Sequence, residues 1–100
     1  MLVERSTRIV KSGKTDEAVA LVKAEEARIR EAYNFTGAVR HYVNQIGPFN
    51  RYVIEMEWNS LAEYEAFWAD WFASSEAPAF LEKFDPLIES GESKMWRLVE

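Results

Sequence analysis

The pattern of hydrophobic and polar residues changes its period along the chain, and turn residues mark each change. Leu2 to Lys11 is rich in β-branched residues and predicts a first strand. Thr15 to Tyr33 carries apolar residues at helical spacing and predicts a first helix, with Thr15 as its cap. Asn34 to Gly37 ends this helix, and we expect Gly37 to take a positive φ.

Two short segments, Thr36 to Gln45 and Arg51 to Trp58, predict the second and third strands. Gly47-Pro48-Phe49-Asn50 between them predicts a hairpin turn. A register that opposes Val39 to Trp58 separates an apolar face from a polar face. The apolar face then holds Val39, His41 and Val43 opposite Trp58, Met56 and Ile54, and the polar face holds Arg40 and Tyr42 opposite Glu57 and Glu55.

The second half of the chain predicts two helices and a last strand. A capping box at Ser60 to Glu63 starts a strongly aromatic second helix, which Ser74-Ser75 interrupts. Pro78 fits the first turn of a short third helix, which Pro86 and Gly91 close. Lys94 to Val99 predicts the last strand.

The order of these elements is typical of the ferredoxin-like α+β fold, a β-α-β-β-α-β antiparallel sheet with helices on one face. The chain has 100 residues and shows neither a repeat nor a linker. We therefore expect residues 1–100 to form a single domain. A domain of this size is short of core, so self-association would help it.

Composition excludes several classes of protein. With no cysteine, the chain has no disulfide framework and no thiolate nucleophile. Its apolar runs are far shorter than the roughly 20 residues of a membrane span, and its charged N-terminus does not resemble a signal peptide. A net charge of −5 argues against nucleic-acid and membrane partners. We expect a cytoplasmic protein without a metal or other cofactor.

Two residues are candidates for catalysis. His41, the only histidine, falls on the predicted apolar face, where an imidazole serves as an acid–base or stays a core residue bonded to a backbone carbonyl. Glu25 projects from the apolar side of the first helix, and a carboxyl group in such surroundings has a raised pKa. His41 or an arginine of the sheet is a candidate partner for Glu25. The plainer alternative places Glu25 at the edge of the interface, where it reaches solvent or pairs with Arg28.

Two groups of residues are candidates for binding. Aromatic side chains of the second helix, with one methionine of the third strand, either line a pocket for a flat apolar ligand or form ordinary core. They are Tyr64, Phe67, Trp68, Trp71, Phe72 and Met56. Arg40, Tyr42 and Glu55 on the polar sheet face either meet water or form the interface of a homodimer.

The hairpin turn and the capping box together resemble the signature of the NIPSNAP family. In that family a Gly-Pro-Leu-Asn turn leads into a strand, an aromatic residue and a Ser-Leu-Ala-Glu helix start. Here the matching segments are Gly47 to Arg51, Val53 and Ser60 to Glu63. Upstream, Glu4, Thr7, Val10, Lys11 and Gly13 are similar to the opening strand and turn of the family.

The resemblance implies a dimeric α+β barrel, in which two sheets pack face to face, and so favours the dimer interpretation of the polar face. The same superfamily holds cofactor-free monooxygenases and haem-degrading enzymes. The family's His and Trp on the third strand are replaced here by Ile54 and Met56, and the Arg of its opening strand by Ser6. Lys83 and Phe84 stand where haem-degrading relatives have a His, so haem degradation is not expected.

Two functional hypotheses follow. In the first, the protein binds a small apolar or aromatic molecule between sheet and helices and acts as a cofactor-free monooxygenase or isomerase, with His41 as acid–base and Glu25 as its partner. In the second, it is a non-catalytic homodimeric module without a ligand site. A pocket into which His41 or Glu25 points would separate the two hypotheses.

Overall fold

Four antiparallel strands and three helices make up the fold. A computed structural model describes residues 1–100. The elements are β1 (Leu2–Val10), α1 (Thr15–Ala32), β2 (Val39–Val43), β3 (Arg51–Trp58), α2 (Leu61–Ala73), α3 (Glu76–Phe84) and β4 (Ile88–Arg97), with a 3-10 turn at Asp85–Leu87. The strand order β2-β3-β1-β4 confirms the predicted ferredoxin-like α+β arrangement.

All three helices pack on one face of the sheet, which is formed by the even-numbered residues of β1 and β3. Two apolar clusters fill the space between them. Trp58 anchors one cluster against α2, and Tyr52 anchors the other against α1 and α3. Both side chains are fully buried. Ser60 caps α2 as expected, since the Glu63 N–H donates to Ser60 Oγ at 3.1 Å.

The predicted register of the hairpin is wrong by two residues. Val39 lies opposite Met56, and His41 lies opposite Ile54. The reason is a longer connection, because Gln45 and Ile46 belong to the loop. A shift of two residues leaves every side chain on its predicted face, since side chains alternate across a strand with a period of two.

The last strand also differs from the prediction. It starts at Ile88, six residues before Lys94, and it ends at Arg97. Gly91 therefore lies inside β4, opposite Arg8, and does not close the third helix. In the sequence, Gly91 indicates the end of a helix. In the structure it instead makes room for the side chain of Arg8 on the neighbouring strand.

Both ends of α1 depart from the expected capping. Thr15 is the first helical residue, while Lys14 holds the cap position without a side-chain hydrogen bond. Beyond the helix, Asn34 takes the positive φ of 52° that was expected of Gly37. Gly37 serves close packing instead, because a Cβ there would lie 2.5 Å from the backbone oxygen of Glu57. None of the helices combines the length and apolar character that crossing a membrane requires.

Candidate functional site

A cleft of about 410 Å³ lies between the sheet and the helices. This volume falls within the range of roughly 300–1,000 Å³ that small-molecule sites occupy. Its floor is polar along β1 and apolar along β3. The floor is formed by Glu4, Ser6 and Arg8 with Ile54 and Met56, and the aromatic wall by Tyr64, Trp68, Trp71 and Phe72 of α2 and Phe80 of α3.

The most buried acidic group of the cleft is Glu4, which is only 9% exposed. Its Oε1 accepts hydrogen bonds from Nε1 of Trp58 at 3.1 Å and from Nε1 of Trp68 at 3.2 Å. Its Oε2 has no protein partner, and it is not sealed from solvent, because no fully buried side-chain oxygen in the chain lacks a hydrogen bond. Burial raises the pKa of Glu4, and the two indole hydrogen bonds offset only part of that rise.

Glu25 also lines the cleft, but its carboxylate already accepts hydrogen bonds from other side chains. Arg28 donates two hydrogen bonds to it, at 2.8 and 2.6 Å, and Nε1 of Trp71 donates a third at 2.7 Å. Burial acts to raise the pKa of Glu25, but these hydrogen bonds outweigh it and lower the pKa. The plainer prediction, a pair with Arg28, is therefore confirmed.

His41 lies outside the cleft and does not contact Glu25, so the predicted pair of these two residues is wrong. Its Nε2 is 2.6 Å from Oε1 of Glu26, and its Nδ1 is 2.7 Å from the hydroxyl of Tyr52. The carboxylate is an acceptor, so Nε2 donates to it. Adjacent helical residues differ in direction by about 100°, which turns Glu25 toward Trp71 and Glu26 toward the sheet edge.

The predicted ligand-binding residues divide between cleft and core. Met56, Tyr64, Trp68, Trp71 and Phe72 line the cleft. Phe67 does not, because its ring packs in the core 5.2 Å from that of Trp58. Trp71 is only 4% exposed and belongs to both core and wall, whereas Phe72 is 63% exposed at the mouth.

Sequence reasoning missed Glu4 and Arg8. Both lie on the helix-facing side of β1, since Glu4 is opposite Met56 and Arg8 is opposite Tyr52. Burial lowers the pKa of the Arg8 guanidinium. No group of three or more histidine or acidic side chains is placed to hold a metal ion.

The predicted interface residues form a charged network on the opposite face of the sheet. Glu55 is only 5% exposed and accepts hydrogen bonds from Arg5 at 2.8 Å, Arg40 at 3.1 Å and the Tyr42 hydroxyl at 2.9 Å. Arg40 also donates to Glu57 at 2.6 Å. Burial acts to raise the pKa of Glu55, but these donors together lower it. All of these contacts lie within one chain.

Comparisons with known proteins agree on a family and a fold. Residues 6–100 match the family model described as NIPSNAP. An uncharacterized NIPSNAP domain protein from Burkholderia xenovorans is 23% identical, with a TM-score of 0.84 over 99% of this chain and 95% of that chain. Protein Atu4242 from Agrobacterium tumefaciens is 25% identical, with a TM-score of 0.85 over 99% and 94% of the two chains.

A more distant likeness concerns the fold alone. An antibiotic biosynthesis monooxygenase shares 18% identity and a TM-score of 0.70 over the full length of both chains. The comparison with curated proteins gives no match.

Proposed function

The chain belongs to the NIPSNAP family, and from that premise we propose that it binds a small apolar or aromatic molecule in its cleft and exchanges a proton with it through Glu4. The observation that carries this proposal is a buried carboxyl group in the floor of a cleft with aromatic walls. Ligand sites combine mostly apolar walls with a small number of placed polar groups, as this cleft does.

The aromatic wall supports the choice of an apolar ligand. Phe72 is exposed at the mouth, where a ligand would cover it. Trp68 and Trp71 present their rings to the same space, 5.6 Å apart and nearly perpendicular. Aromatic faces and edges contribute stacking energy beyond simple burial, so a flat ring system is well matched to this wall.

Glu4 supports proton transfer because its two oxygens have different roles. The indoles of Trp58 and Trp68 hold Oε1 and fix the orientation of the group, while Oε2 is left to meet a ligand. A carboxylate with a raised pKa is a stronger base than an ordinary one. It takes a proton from an acidic C–H of the ligand, becomes the neutral acid, and returns the proton to a neighbouring carbon in an isomerase reaction.

Oxygenation without a cofactor is a second candidate reaction. It begins with the same removal of a proton by Glu4, because the resulting carbanion reduces O2 and forms a C–O bond with it; the peroxide takes the proton back from Glu4 and loses water to leave a carbonyl group. The two reactions differ in the fate of that proton and in oxygen consumption, which an oxygen electrode measures. In both, Glu4 takes the acid–base role that we expected of His41.

We test the proton transfer with deuterium incorporation at C1 of 2-tetralone, an aromatic ketone with acidic C–H bonds. We expect the protein to accelerate this exchange and Glu4→Gln to lose about 10²–10⁴-fold of the acceleration, the usual contribution of a positioned base. The glutamine carbonyl still accepts from Trp58 and Trp68, so the cleft keeps its shape.

The matched control is Glu25→Gln, which neutralises a second carboxylate of the cleft that already has its partners. We expect this variant to keep the exchange activity. Equal exchange rates in the wild type and in Glu4→Gln would contradict the role of Glu4.

We further propose that the protein forms a homodimer through the open face of its sheet. That face is left uncovered by the helices, and it carries the charged network of Glu55 with half-exposed Tyr42 and Trp96. Dimerisation would also supply apolar burial that a domain of 100 residues lacks. The alternative function, a homodimeric module without a ligand site, is favoured by the packing of Phe67 and Trp71 in the core.

A further inference from the structure

Arg8 extends into the cleft across the neighbouring strand. Its side chain passes over Gly91 of β4, where a Cβ would lie 2.7 Å from both Cδ and Nη1 of Arg8. A glycine inside a strand weakens the strand unless another group approaches closely. Here the approaching group is Arg8, so the backbone of β4 sets the position of its guanidinium.

The charge of Arg8 has no carboxylate partner within 4.0 Å. Its Nη1 donates only long hydrogen bonds to the backbone oxygens of Thr7 at 3.4 Å and Glu92 at 3.3 Å. The other arginines that line the charged clusters all bind carboxylates at short range: Arg5 to Glu55, Arg28 to Glu25, Arg30 to Glu26, and Arg40 to Glu55 and Glu57. Burial lowers the pKa of Arg8, although Glu4 and Asp85 attract its charge.

A partly buried cation that lacks a carboxylate partner can take an anion as its ligand. A guanidinium offers a planar fork of N–H donors that matches the two oxygens of a carboxylate. The nearby lining of the cleft is mixed: Phe84 and Ile88 are apolar, whereas Asp85 adds a carboxylate that attracts the charge of Arg8 without forming an ion pair with it. Burial removes part of the hydration of Arg8, and an anionic group bound here would replace that lost interaction.

The spacing along β1 leaves room for the rest of the ligand. Arg8 and Glu4 are four residues apart on the same strand, so their Cα atoms are about 13 Å apart at 3.3 Å per residue. A molecule bound to Arg8 by one end therefore extends its body toward Glu4 and the rings of α2.

We propose that the cleft takes an organic acid, whose carboxylate pairs with Arg8 and whose apolar or aromatic body lies between β1 and the rings of α2. This inference rests on the proposed function, because it names the ligand class of the same cleft. In this arrangement Arg8 binds the carboxylate of the ligand, and Glu4 exchanges a proton with the other end of the molecule.

The test compares 1-naphthoate with neutral 1-naphthamide, which has nearly the same shape, by isothermal titration calorimetry. We expect the wild type to bind the acid about ten- to a hundredfold more tightly than the amide, as a charge-assisted pair to a desolvated guanidinium provides. We expect Arg8→Met to lose that preference and keep its affinity for the amide. Arg8→Lys keeps the charge without the fork and should retain part of the preference.

The matched control is Arg51→Met, which removes an equal charge from the opposite face of the sheet, where Arg51 has no carboxylate partner. It should leave the preference unchanged. Equal binding of both probes by the wild type, or equal weakening of both in Arg8→Met, would overturn the role of Arg8 and leave the cleft as a ligand site. Failure of the wild type to bind either probe would overturn the proposed function together with this inference.

Discussion

Burial of the Glu4 carboxyl group opposes folding whenever the group is ionised, because a charge loses its hydration on leaving water. Trp58 and Trp68 return part of that loss through their indole N–H groups. A glutamine would accept the same two hydrogen bonds without carrying a charge. Packing therefore does not require an acid at this position, whereas proton exchange with a ligand does.

This reasoning predicts how Glu4→Gln changes the pH dependence of stability. The pKa of Glu4 in the folded state is raised above its ordinary value of 4.5, so its contribution to stability is present below pH 4.5 and is lost as the pH rises through the raised pKa. The variant has no such loss. We therefore expect the difference in unfolding free energy, variant minus wild type, to increase as the pH is raised above 4.5, measured by urea denaturation.

Three other acidic groups act in the opposite direction and serve as an internal control. The pKa values of Glu25, Glu26 and Glu55 are lowered by their hydrogen bonds, so their contributions are lost as the pH falls below 4.5. These contributions are the same in the wild type and in Glu4→Gln, so they cancel in the difference between the two unfolding free energies. A difference in unfolding free energy that stays constant across this pH range would show that Glu4 does not titrate as described.

The roles of single residues are the part of the site that the sequence predicts least. Glu25 has one arginine at helical spacing, and the sequence was enough to identify that pair. The strand pattern places His41 on the correct face, yet its partner depends on a difference of one residue along α1. No local pattern marks Glu4, because its partners Trp58 and Trp68 lie more than fifty residues away.

At the scale of elements, β1 shows why the cleft floor escapes a pattern-based prediction. Its odd-numbered residues include Val3, Thr7 and Ile9, while its even-numbered residues include Glu4 and Arg8. Alternation alone therefore favours burial of the odd face. The helices cover the even face instead, because it continues the apolar side of β3.

The other elements follow their local patterns where a strong local signal exists. Ser60 starts α2 at the predicted residue because its side chain caps the helix. Four aromatic residues of α2 pack toward the sheet as the periodicity predicts, namely Tyr64, Phe67, Trp68 and Trp71, whereas Phe72 is exposed. The register of β2 and the start of β4 depend on loop length and cross-strand packing, which no short segment specifies.

For the whole molecule, the proposed homodimer would form through the open face of the sheet. Tyr42 is 46% exposed in one chain, and its hydroxyl belongs to the network around the buried carboxylate of Glu55. In a dimer this network would be removed from water. Breaking one member of such a buried network costs more than the network contributes when intact.

We therefore expect Tyr42→Asp to give monomers. The added carboxylate would lie beside Glu55 in a desolvated interface. Sedimentation equilibrium should report twice the chain mass of 11.6 kDa for the wild type and a single chain mass for the variant. Leu61→Asp, an equal change at an exposed position on α2, should stay dimeric. A variant that sediments like the wild type would place the interface elsewhere.

The cleft as a ligand site is the central claim, and the four tryptophans provide its most direct test. Trp68 and Trp71 line the cleft, while Trp96 lies on the opposite face of the sheet, across from Val3. The measurement follows their indole N–H signals by ¹⁵N–¹H correlation NMR during a titration with 1-naphthol. We predict saturable shifts of Trp68 and Trp71 and an unmoved Trp96. Signals that stay in place up to the solubility limit, or a shift of Trp96 alone, would contradict the account.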